Sequence, residues 1–141
     1  MIEIIVKLNL NENGEIIPIF PNNFNFKNKM KQIQRFYVNV ELKKIAYSEQ
    51  SPKNSLNAYK NGQKNGSPSI RTKEMHEAIK QELNKGNNVK VVIEQVIGDK
   101  TPKELADEEI EKYKKEHNGI APEWNKQKNH KKWKDNENKS S

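Results

Sequence analysis

The chain has 141 residues, enough for one domain of ordinary size and too few for two. Hydrophobic and charged residues each make up 32%, and Lys+Arg exceed Asp+Glu by 26 to 19, a net charge of +7 that favours polyanions such as nucleic acid. With no cysteine there is no disulfide framework and no thiolate metal site, and His76, His117 and His130 are too widely spaced for a local zinc motif.

The opening MIEIIVKLN holds no long apolar run, so neither a signal peptide nor a membrane span is expected and the cytoplasm is the default compartment. Its alternating apolar residues predict a strand over 2–9. The turn signal Asn11–Gly14 then leads into a returning strand over 16–20, which completes a hairpin. Pro21, Asn22 and Asn23 break the pattern, and NFNFKNKMKQIQ reads as an extended link. The stretch RFYVNVELKKIAYSEQS predicts a second hairpin, with strands over 35–41 and 44–48 joined at the lysines and one tyrosine, Tyr37 or Tyr47, on each strand. Ser51 and Pro52 are placed to cap and open a helix over 52–60, which Gly62 ends. The polar residues 61–69 read as an exposed loop. A helix over 69–85 follows, with Ile70, Met75, Ala78, Ile79 and Leu83 on one face. VKVVIEQV is a β-branched strand suited to the centre of a sheet. Thr101, Pro102 and Glu104 then form a capping box for a last helix, which runs to about His117.

The expected fold is therefore α+β: a small three-stranded antiparallel sheet flanked by helices (β-β-α-α-β-α), with an extra N-terminal β-hairpin and a basic C-terminal tail. The expected divisions are 1–34 for the hairpin and link, 35–126 for the main domain and 127–141 for a tail expected to be disordered. Trp124 or Trp133 in the last segment would stack on bases if the tail followed a phosphate backbone; otherwise it is a solubilising end.

Residues 35 to about 126 resemble the GIY-YIG nuclease family. Phe36-Tyr37-Val38 stands where the first family triplet would be and Tyr47-Ser48-Glu49 where the second would be, followed by Gln50-Ser51. The capped last helix lies where the family places its metal-binding glutamate, and Pro122-Glu123-Trp124-Asn125 resembles the family's terminal segment. Two residues depart from the pattern. Glu49 replaces the glycine of the second triplet, and Asn57 or a neighbour stands where the first helix carries an arginine.

The resemblance implies a metal-dependent endonuclease acting on DNA, expected to be double-stranded, with Mg2+ (or Mn2+) as cofactor. It implies metal binding by Glu109, with Glu108 as the alternative; Tyr37 or Tyr47 would act on the attacking water and Asn125 would close the site. Arg71, Lys44 or Lys60 would stand in for the missing arginine, though a lysine is a point charge and lacks the guanidinium fork. His76 is a further catalytic candidate, and Lys44, Lys60, Lys64, Lys126 and Lys128 are candidate nucleic-acid contacts. Glu108 and Glu109 also read simply as a solvated helix face pairing with Lys112. The alternative to an enzyme is a module of the same fold with a decayed site that binds nucleic acid or a protein partner. A third reading is an unrelated α+β interaction protein whose lysine-rich composition reflects an AT-rich genome.

Overall fold

A computed structural model describes residues 3–22, 26–64, 67–68 and 70–125, and of 63, 64, 67 and 68 the backbone alone. Among these residues the strands are β1 (Glu3–Leu10), β2 (Ile16–Ile19), β3 (Gln32–Val38), β4 (Glu41–Ser48), β5 (Gln63–Lys64), β6 (Ser67–Pro68) and β7 (Val89–Gln95). The helices are α1 (Pro52–Asn57), α2 (Ile70–Asn84) and α3 (Pro102–Glu116). The expected α+β class is observed. The extra hairpin joins the main sheet, because β1 pairs with β7, and the result is a five-stranded antiparallel sheet in the order β2-β1-β7-β3-β4. The stretch expected to be an exposed loop contains the small β5–β6 pair.

Period-two alternation sorts the sheet into two faces. Ile4, Val6 and Leu8 of β1, Phe36 and Val38 of β3, and Val89, Val91 and Ile93 of β7 pack under Leu56 of α1 and Met75 and Ile79 of α2. Among the described residues the opposite face is covered at one end, where Ala106 and Ile110 of α3 pack on Ile33 of β3 and Ile45 of β4. The helix starts follow from their caps: the Ser51 hydroxyl accepts the Asn54 N–H, and the Thr101 hydroxyl accepts the Glu104 N–H, each at 3.1 Å.

Two features of the second hairpin differ from the sequence reading. Its turn lies at Asn39–Val40, not at the lysines, because Asn39 takes the left-handed conformation (φ 55°) that a two-residue turn requires. The Asn39 N–H donates to the Asn88 carbonyl at 2.8 Å, and its side-chain oxygen accepts the Asn88 N–H at 3.1 Å. The strand β3 also begins earlier, at Gln32. Gln32 and Gln34 lie buried on the α1–α2 face, where a sequence pattern asks for apolar residues. Their amides are satisfied by the carbonyls of Met30 and Gln50, by each other and by the Ser55 hydroxyl, at 2.8 to 3.0 Å.

Candidate functional site

The register of the second hairpin decides which side chains meet. Leu42 pairs with Tyr37 and Lys44 with Phe36, so Lys43 is the extra residue of a β-bulge. The bulge changes the alternation of β4. Lys44 joins Phe36 on the α1–α2 face, while Ile45 and Tyr47 turn to the α3 face.

On the α1–α2 face Lys44 comes within electrostatic range of Arg71, in the first turn of α2. Burial, with the Arg71 charge adding to it, pushes the Lys44 ammonium down to about 8. Among the described residues neither cation makes an ion pair with a carboxylate. Tyr59, which packs edge-on against Phe36 with ring centres 5.7 Å apart, is pushed up to about 12 by burial.

The strand carrying Lys44 is held from its outer side. The Trp124 N–H donates to the Lys43 carbonyl at 2.7 Å. The Asn125 amide then acts as a strand of one residue: its oxygen accepts the Ile45 N–H and its nitrogen donates to the Ile45 carbonyl, both at 2.8 Å. Lys43, raised by its bond to Glu123, adds an ion pair to the same segment. Asn125 is buried and fully engaged in this clasp, so what it does here is fix the position of β4 beside Lys44.

The remaining residues singled out from the sequence lie elsewhere. Tyr37 and Tyr47 are at opposite ends of the hairpin: Tyr47 pairs with Ile33, four residues and about 13 Å along β3 from Tyr37. Both turn away from Lys44 and Arg71. The Tyr37 ring lies under Lys90, whose ammonium is 5.7 Å from the ring centre. His76 is buried and donates from Nδ1 to the Tyr59 carbonyl at 2.7 Å. Lys60 faces Glu15 at 3.7 Å. Lys126 and Lys128 lie outside the described residues, as does the side chain of Lys64.

Glu109 points at the sheet, where Arg35 takes both its oxygens, Nε to Oε1 at 2.6 Å and Nη2 to Oε2 at 2.9 Å. The third guanidinium nitrogen of Arg35 donates to Glu94 at 2.9 Å. This fork holds Arg35 firmly cationic, chiefly through Glu109. Glu108 faces outward and pairs with Lys100 at 2.8 Å. Among the described residues no three His, Asp or Glu side chains gather as a metal cluster. The expected Mg2+ does not fit Glu109 in this arrangement, because a guanidinium already fills the place and supplies the charge an ion would bring.

No family model and no curated protein matches the chain. Among solved structures, a mutant of bacteriophage T4 EndoII is similar, with 23% identity and a TM-score of 0.49. The match covers 65% of this chain and 65% of that one, so the chain spans just under two thirds of it. No described helix is long and apolar enough to cross a membrane.

Proposed function

We propose that the chain is an endonuclease acting on the phosphodiester backbone of DNA, with Lys44 and Arg71 receiving the scissile phosphate. One observation carries this reading: two neighbouring cations, one of them desolvated, share the sheet face with no carboxylate between them among the described residues. A bound phosphate diester relieves that repulsion and is held by Arg71. Arg71 stays charged throughout and neutralises the phosphate oxygens. Lys44, with a pKa of about 8, is the group suited to take a proton from the attacking water near neutral pH. Its proton affinity rises when the dianionic character of the transition state develops beside it. The divalent ion implied by the family resemblance would add charge neutralisation at the phosphate. Because Glu109 is engaged by Arg35, no step is assigned to such an ion.

The test is nicking of supercoiled plasmid by the wild-type protein, Lys44→Met and Arg71→Ala, with Mg2+, Mn2+ or a chelator. Loss of a general base costs roughly 100- to 10,000-fold in rate, so cutting should fall by that order in Lys44→Met. Wild-type cutting should rise with pH through about 8. Unchanged cutting in both variants would remove Lys44 and Arg71 from the site. A second reading, a binding module without catalysis, is favoured by the separation of Tyr37, Tyr47 and Glu109 from Arg71 across the sheet. Salt-sensitive DNA binding with no cutting in any metal would establish it.

A further inference from the structure

The sheet face opposite α1 and α2 is covered by α3 over β3 and β4, and Val92 of β7 is buried on it, while among the described residues β1 and β2 stay open, with Ile5 57% and Ile19 48% exposed. One register line crosses this face through all five strands: Ile19, Lys7, Lys90, Tyr37 and Leu42 stand opposite one another in turn. At neighbour spacings of about 4.8 Å the line is about 19 Å long. Its middle places two lysines directly opposite each other, an arrangement that destabilises a sheet when nothing neutralises it. No ion pair to Lys7 or Lys90 is found among the described residues. The acidic side chains that the sheet itself puts on this face, Glu3 and Glu94, oppose each other about 13 Å further along the strands, and Glu94, like Glu109 of α3, is engaged by Arg35.

We infer that this open face is a docking surface for an unpaired strand of nucleic acid. Its phosphates lie over Lys7 and Lys90, and a base reaches the Tyr37 ring, with Ile19 extending the apolar floor. Charge decides the occupant. A second copy would set the same lysine pair against itself. Residues 126–141 carry six lysines against one Asp and one Glu and are repelled for the same reason. A duplex supplies the phosphates but keeps its bases stacked, away from the ring. The surface lies across the sheet from Lys44 and Arg71, so it stands whether or not the chain cuts nucleic acid.

The test is anisotropy of a labelled thymidine oligonucleotide across a salt series from about 50 mM to about 200 mM, the range in which phosphate contacts lose most of their affinity. Removing two phosphate contacts should lower the slope of log K against log salt by about 1.4 in the double variant Lys7→Gln, Lys90→Gln. Tyr37→Leu should weaken binding roughly tenfold, the loss of one base stack. In the absence of oligonucleotide the double variant should melt at a higher temperature than the wild type, because opposing like charges are gone; this readout also shows that it folds. An unchanged slope in the double variant would overturn the inference. So would wild-type protein that binds duplex but not the thymidine strand.

Discussion

At Lys44 the fold favours the neutral amine, which makes the residue visible in stability as well as in chemistry. The unfolded chain holds its proton up to about 10.5 and the native state only to about 8, so between those values unfolding takes up a proton. Stability contributed by this residue therefore rises with pH across that window and is lowest below it. Lys44→Met should be more stable than wild type at pH 7, and the difference should shrink towards pH 10, as followed by urea denaturation. Tyr59 has the opposite sign. Its native pKa of about 12 lies above the usual value, so its contribution is complete below about 10 and is lost as pH climbs through 12. Tyr59→Phe should remove that loss, and denaturation curves above pH 10 would show it. Lys44 and Arg71 were both recognisable in the sequence as cations. Their shared face was not, because it depends on the bulge at Lys43, and no local pattern around two adjacent lysines says which one is left out of the pairing.

Among the elements, the helix starts were the most readable parts of the chain. Ser51-Pro52 and Thr101-Pro102 are self-contained signals whose hydroxyls meet a backbone N–H three residues on. The turn of the second hairpin was not readable, since Asn39 is fixed by Asn88, 49 residues away. The α3 helix shows how the place of a residue can still leave its role open. Its periodicity directs Glu109 to the sheet, and the sheet answers with Arg35, whose fork ties α3 to β3 and β7. Arg35→Met should lower stability by about 2 kcal/mol, the range for hydrogen bonds to charged groups, by denaturant titration. Glu109→Gln should leave Mn2+ affinity, measured by calorimetry, at the wild-type value. A loss of affinity there would restore the glutamate as a metal ligand and show that Arg35 releases it.

At the scale of the whole molecule, β7 sits at the centre of the sheet, and both its neighbours, β1 (Glu3–Leu10) and β3 (Gln32–Val38), come from far earlier in the sequence. That pairing could not be read from either segment alone, and it makes the N-terminal hairpin a part of the sheet. Deleting residues 1–22 would uncover β7, a strand rich in Val and Ile, and should make the protein aggregate; light scattering would report it. The two outer strands, by contrast, are already blunted. The strand β2 has four residues and includes Pro18, which offers no N–H. The outer side of β4 is occupied by Trp124 and Asn125, which take the Lys43 carbonyl and both backbone groups of Ile45. The C-terminal clasp thus works as a stopper against sheet growth: with it in place, the rungs of β4 at Lys43 and Ile45 are not free for a second copy. Asn125→Ala frees that rung, so its expected effect is concentration-dependent self-association in sedimentation as well as a lower melting temperature, and a proteolytic cut just before Trp124 would have the same consequence.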